Sequence, residues 1–128
     1  MGVAQEQYLG NPNLKKANVA ENFTKEEIAE YLKCANDPVY FIANYIQIVS
    51  LDKGLVPFDM YHFQEDMVKK FHKERFNIAK LPRQSGKSTI VTSYLLWYVL
   101  FNANVNVAIL ANKAATAREM LGRLQLSY

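Results

Sequence analysis

Three stretches of the 128-residue sequence predict an α/β chain organised around one β-α-β unit. An apolar segment containing Phe76, Ile78, Ala79 and Leu81 runs into the loop Pro82-Arg83-Gln84-Ser85-Gly86-Lys87-Ser88-Thr89. A long run from Ile90 to Phe101 follows, apolar on almost every side, as expected of a helix buried between a sheet and other elements. Val105 to Leu110 is a second near-continuous hydrophobic stretch, the pattern of a strand in a parallel sheet covered on both faces. Strand, loop, helix and strand in that order make a right-handed crossover.

The loop carries the chemistry. Backbone N–H groups at the end of a strand can form an anion-binding nest, and the helix that follows adds its positive N-terminal end. Gly86 allows the backbone to approach a phosphate with no Cβ in the way. Lys87 can reach the β- and γ-phosphates, and the Ser88 hydroxyl is placed to ligate Mg²⁺. Gln84, Ser85 and Thr89 complete the expected phosphate-binding segment. The full pattern G-x-x-x-x-G-K-[ST] asks for glycine at position 81, where this chain has Leu81. The fold expected from these features is a P-loop NTPase core with a partial parallel sheet, preceded by a small helical subdomain.

The preceding elements are legible in order. Residues 1–22 read as a polar, irregular arm with a turn at Gly10-Asn11-Pro12-Asn13. Residues 23–58 read as a helical subdomain and a short hairpin. Thr24 is its first N-cap, Glu27 completes a capping box, and Phe23 with Ile28 can form a hydrophobic staple. Ile28, Tyr31, Leu32 and Ala35 give that helix its apolar face. Asp37-Pro38 stops it and starts a second helix, about Pro38 to Ile46, whose Tyr40, Phe41 and Tyr45 read as core. Ile48 to Phe58, with Asp52-Lys53-Gly54 as its turn, predicts a hairpin.

Residues 59–128 are assigned to the nucleotide-binding part. Tyr61 to Phe71 reads as a helix with Phe63, Met67 and Phe71 inward and Lys69, Lys70 and Lys73 outward. Gln64 stands out, because a glutamine just upstream of such a loop can grip adenine through an amide that both donates and accepts. Asn112 is the expected cap of a last helix with Ala117, Met120, Leu121 and Leu124 on one face and Arg118 and Arg123 on its polar side.

Bulk properties narrow the class. Half the residues are hydrophobic, a globular composition, and the length suits one domain. The formal net charge is only +3, but Lys69, Lys70, Lys73, Arg75, Lys80, Arg83 and Lys87 crowd one span. That span is either a solvated helix face joined to the loop or a contact surface for a polyanion. Cys34 is the single cysteine, so no internal disulfide can form and Cys/Cys metal spacing is excluded. His62 and His72 have no partner at metal-ligand spacing. The polar N-terminus and the short Ile90–Phe101 run predict a soluble protein without a membrane segment. After Leu110 no apolar strand ends in paired acids, so the sequence reads as the N-terminal piece of a longer enzyme.

With these residues in hand, the sequence resembles the large terminase subunit of tailed bacteriophages, myovirus type. The resemblance begins near Tyr8 and runs to the C-terminus. It is carried by Asn13-Leu14-Lys15-Lys16-Ala17-Asn18, Asp37 to Tyr45, Phe63-Gln64-Glu65-Asp66-Met67, Arg83-Gln84-Ser85-Gly86-Lys87-Ser88 and Ile109-Leu110-Ala111-Asn112-Lys113. The Arg-Gln-x-Gly-Lys-[Ser/Thr] loop of that family also lacks the first glycine. The resemblance implies an ATP- and Mg²⁺-dependent motor that packages double-stranded DNA into a capsid, with a portal protein and a small terminase subunit as partners. A ring oligomer on the portal, in the host cytoplasm, is implied for the parent protein.

By that resemblance Gln64 matches the adenine-recognising glutamine, Lys87 the phosphate-binding lysine and Ser88 the metal-ligating hydroxyl. Arg83 matches an arginine acting in cis on the γ-phosphate, the catalytic role in this stretch. Asn112-Lys113 falls where related translocases contact DNA. The family's Walker B acids and its nuclease domain lie beyond Tyr128, so nucleotide binding without efficient turnover is expected. A helicase-like translocase and a non-catalytic DNA- or partner-binding module remain the competing readings.

Overall fold

The computed structural model describes residues 7–8, 11–15, 20, 22–50 and 52–127. Its elements, in order, are β1 (Gln7–Tyr8), β2 (Asn11–Lys15), α1 (Lys25–Asn36), α2 (Pro38–Tyr45), β3 (Gln47–Ser50), β4 (Gly54–Pro57), α3 (His62–Lys73), α4 (Lys87–Phe101) and α5 (Ala114–Ser127). β1 pairs antiparallel with β2, and β3 with β4. Where the sequence suggested an irregular arm, residues 7–8 and 11–15 thus form a short antiparallel ladder.

The expected α/β architecture is not what forms. Both ladders are antiparallel pairs of strands adjacent in sequence, and no parallel pairing occurs among the described residues. The stretches 76–81 and 105–110, expected as the two parallel strands, carry no strand. Ile78 is 100% exposed and Leu110 88%. The P-loop NTPase core with its partial parallel sheet and β-α-β unit is therefore corrected to a helical domain with two local hairpins. Strand preference of an apolar run expresses burial against neighbouring strands more than an intrinsic backbone tendency. Two parallel strands alone cannot bury both faces of a sheet, so these runs gain nothing by pairing.

Helix α2 is the centre of the fold. Its Phe41 and Ile42 are buried, and Cys34 of α1, Val68 of α3 and Ile90, Leu96 and Trp97 of α4 belong to the same cluster, with Ile46, Phe58 and Met60 from the flanking segments. The capping chemistry forms as the sequence predicts. Thr24 N–H donates to Glu27 Oε2 at 2.7 Å, and Glu27 N–H donates to Thr24 Oγ1 at 3.2 Å. Asp37 Oδ1 accepts from the N–H groups of Val39 and Tyr40, with Pro38 at the first helical position of α2. Together these caps fix the corner between α1 and α2.

Which helix faces are buried differs from the periodicity. Phe23 and Ile28, the expected staple, are both exposed, as is Leu32. The side of α1 that packs is the one carrying Cys34, whose carbonyl accepts the Trp97 indole N–H at 2.7 Å, and Tyr31, whose ring contacts Phe101. In α3 the buried residues are Gln64 and Val68, one position past the predicted Phe63 and Met67. In α4 only one stripe is buried, Ile90, Thr92, Ser93, Leu96 and Trp97, while Tyr98, Val99 and Leu100 are exposed. Without a sheet beneath it, α4 buries one side only.

A second tie joins α1 to α2. The Glu30 carboxylate accepts from the hydroxyls of Tyr40 at 2.7 Å and Tyr45 at 2.9 Å, with Lys33 Nζ 3.5 Å away. The tyrosine hydrogen bonds hold the Glu30 carboxyl below the usual carboxylate range. The same bond pushes the Tyr45 hydroxyl up to about 12. A depressed carboxylate contributes stability above its unfolded pKa and loses it as pH falls through the folded value. A raised tyrosine contributes below its unfolded value and loses it as pH rises through the folded one. Thermal melts from neutral to acid pH should therefore fall off less steeply in Glu30→Gln than in the parent, and the parent should lose stability between pH 10 and about 12. Identical pH profiles for the two proteins would remove this role.

The expected hairpin forms as an antiparallel ladder. Ile48 pairs with Val56, Val49 with Leu55 and Ser50 with Gly54. Gly54 takes a φ of 72° at the end of the turn, a conformation that glycine adopts without steric cost.

Candidate functional site

The loop between residues 82 and 86 holds two left-handed residues. Gln84 has a φ of 61° and Gly86 a φ of 72°, and Gly86 is the N-cap of α4. Two left-handed residues separated by one turn the chain into the helix, whose first N–H groups have no acceptor within the helix. Helix α4 begins at Lys87, three residues before the apolar run that marked it in the sequence.

The loop closes on its own carbonyl. Pro82 O accepts from Ser85 Oγ at 3.0 Å and from Lys87 Nζ at 3.4 Å. The ammonium of Lys87 is thus held over the bend, where an arriving anion can exchange for the carbonyl. Arg83 is exposed on the turn, and Ser88 and Thr89 are half-buried on the first turn of α4. The carbonyls of Ser88 and Thr89 accept from the buried hydroxyls of Thr92 and Ser93, which consumes those polar groups locally.

Gln64 reaches the loop from α3. It is only 2% exposed. Its Oε1 accepts from the Tyr61 N–H at 2.9 Å, and its Nε2 donates to the Ser85 carbonyl at 3.3 Å. Gly86 sits directly against this amide, since a Cβ on it would lie 2.6 Å from Gln64 Nε2. The glutamine singled out in the sequence and the loop 21 residues further on are therefore one unit. Each end of its amide makes one bond within the protein, which leaves one lone pair on Oε1 and one N–H on Nε2.

A cavity of about 960 Å³ opens beside this unit. The lining includes Ile46 at the end of α2, the hairpin residues Ile48, Val49 and Leu55, and Phe58 after the hairpin. Gln64, Gln84, Ser85, Gly86 and Thr89 also line it. Tyr61 and Phe63, stacked on each other at 5.9 Å, stand on the α3 side. Arg83, Lys87 and Ser88 lie outside the lining. The size and the mixture of apolar wall with a few polar groups are those of a small-molecule site. Arg123 of α5 also lines the cavity, and the sequence pointed to it only as a polar-face arginine. Its one sequence signal is Glu119 four residues before it, the spacing of a helical ion pair.

Other candidates fall away on chemistry. Burial, with Glu30 nearby, pushes the Cys34 thiol up, so it is a poor nucleophile. His62 pairs with Asp66 at 3.4 Å, and His72 packs edge-on against Trp97. Among the described residues no group of three or more His, Cys, Asp or Glu converges to hold a metal ion, and no helix is long and apolar enough to cross a membrane.

Fold and site together define a small helical domain that holds a Gly-Lys-Ser loop against a buried glutamine, next to a cavity of about 960 Å³. No protein-family model matches the chain.

Proposed function

We propose that this chain is the ATP-binding N-terminal part of a phage large terminase, the motor that couples ATP hydrolysis to packaging of double-stranded DNA. The observation that carries the reading is the Gln64–loop unit, in which the upstream glutamine donates to the Ser85 carbonyl of the Gly-Lys-Ser loop. It is the pairing of base-reading and phosphate-binding groups that the resemblance implies. The reading rests on loop, glutamine and cavity; it does not draw on a parallel sheet, which the chain does not form.

In this reading Lys87 leaves the Pro82 carbonyl for the β- and γ-phosphates, and the N–H groups at the start of α4 bind the same oxygens. Arg83, exposed on the turn, supplies positive charge to the γ-phosphate. Gln84, Ser85 and Thr89 line the approach. A magnesium ion would be held mainly by the nucleotide, with the Ser88 hydroxyl as the protein's ligand, and would neutralise charge on the transferring phosphoryl group. Lys69, Lys70 and Lys73 are exposed on α3, and Arg75 and Lys80 follow them at the surface. This face favours DNA as the polyanion, and the host cytoplasm at the capsid portal is the place of action the reading gives it.

Titration with a fluorescent ATP analogue tests the nucleotide site. The parent chain should bind Mg·ATP, and Lys87→Ala should weaken binding by at least about tenfold, the loss of one charge-assisted contact. Equal binding by both proteins would remove the assignment.

A further inference from the structure

The segment that leads into α3 brings the cavity a charged group that neither the loop motif nor the upstream glutamine accounts for. Phe58 and Met60 are buried while Asp59 and Tyr61 are exposed, the alternation of an extended chain, which sets Asp59 and Tyr61 on one side. Both line the cavity, together with Phe63 and Gln64. The backbone N–H of Asp59 donates to the Pro57 carbonyl at 3.0 Å, but its carboxylate has no hydrogen-bond or ion-pair partner among the described residues. Asp59 is thus an acceptor with both oxygens open. Its neighbours suit a planar ring. Tyr61 and Phe63 stack with 9° between their planes, and the buried Gln64 amide keeps one lone pair and one N–H unspent.

A carboxylate repels phosphate, so the part of a nucleotide that meets Asp59 is one that donates hydrogen bonds. Adenine offers an exocyclic amine with two N–H groups beside a ring nitrogen that accepts. The unspent pair on Gln64 matches one of those N–H groups and the ring nitrogen, which leaves the second N–H for another acceptor. We propose that Asp59 is a base-specificity residue that accepts this second N–H, so that the cavity selects a 6-amino purine over a 6-oxo purine. The inference rests on the nucleotide-site reading above and deepens it. Hypoxanthine turns a carbonyl oxygen toward the same position, where acceptor would face acceptor, and a site built to take a donor strongly rejects an analogue that lacks it.

Calorimetric titration of the 128-residue chain with Mg·ATP, Mg·ITP and Mg·2′-deoxy-ATP tests the assignment. The parent should bind ATP at least about tenfold tighter than ITP, the scale of one hydrogen bond to a charged group. Asp59→Asn keeps the shape and gains a donor, so the ATP preference should shrink about tenfold, with ITP improving in absolute affinity. Asp59→Ala should lose ATP affinity without that gain for ITP. Asp59 is exposed, and both variants should melt within a few degrees of the parent. If either variant melts much lower, the ATP-to-ITP ratio of the other decides. An unchanged ratio in Asp59→Asn, while Lys87→Ala binds poorly, would overturn the role of Asp59 and leave the loop site standing. Equal weakening of ATP and ITP, with 2′-deoxy-ATP unaffected, would also overturn it, because the carboxylate would then hold the ribose. A parent chain that binds no nucleotide would overturn both readings.

Discussion

Trp97→Ala should destabilise the domain by about 3–5 kcal/mol, the scale for truncating a buried tryptophan. Trp97 is nearly fully buried and lies at the junction of α1, α3 and α4. Its ring meets His72 edge-on at 5.3 Å and contacts Tyr94 and Phe101. Its indole N–H donates to the Cys34 carbonyl at 2.7 Å across 63 residues of sequence. Removal thus opens a cavity and leaves a buried carbonyl without its donor. Trp97→Phe separates the two effects, because it keeps most of the packing and loses the bond, at about 1–3 kcal/mol. Urea unfolding followed by circular dichroism reads both. With total stability of about 5–15 kcal/mol for a domain, the alanine variant should be largely unfolded at modest denaturant. A midpoint within experimental scatter of the parent would mean that the α1–α4 junction does not hold the fold together.

The same junction shows how far the sequence could be read. Caps were legible because they are local: Thr24 with Glu27, and Asp37 with Pro38, need only three or four residues to satisfy donors that every helix start leaves open. The hairpin around Gly54 was legible for the same reason. Burial was less so. Ile28 and Leu32 of α1 look like a core face, yet the packed side is set by Cys34 and by where Trp97 arrives from α4. That contact is non-local and leaves no periodic trace. Phe76 to Leu81 and Val105 to Leu110 failed as strands for a related reason: their apolar pattern states what they would do against neighbouring strands, and the chain pairs them with none.

The candidate site divides along the same line. Gln64 and the Gly-Lys-Ser loop could be named from residue types, since amide, backbone nest and ammonium have a chemistry of their own. Their joining through the Ser85 carbonyl could not, nor could the entry of Arg123 into the cavity from α5. Both depend on how α3, α4 and α5 are docked. Arg83 and Lys87 lie outside the cavity lining while Gln84, Ser85 and Gly86 lie on it. The loop thus presents different residues to its two sides.

Gly86→Ala should cost about 2–5 kcal/mol and, on the proposed reading, abolish measurable ATP binding, through two physical effects that a double mutant can separate. Gly86 has a φ of 72°, where an alanine is strained by about 1–2 kcal/mol. Its new Cβ would also stand 2.6 Å from Gln64 Nε2. The amide is the far end of a flexible side chain, but it is tied at both ends, to the Tyr61 N–H and to the Ser85 carbonyl. Moving it breaks one bond or both, at about 1–3 kcal/mol for a buried polar group left unpaired. Gln64→Ala removes the obstacle together with these bonds. In that background Gly86→Ala should cost only the backbone strain, so the two substitutions should fall short of additivity by about 1–3 kcal/mol in chemical denaturation. Strict additivity would mean that Gln64 and Gly86 do not touch in solution. ATP titration of the same four proteins then asks a separate question. If Gln64 serves binding mainly by holding the loop, Gln64→Ala should weaken adenosine and ATP unequally, with the larger loss on ATP, because in the proposed reading the loop takes the phosphates.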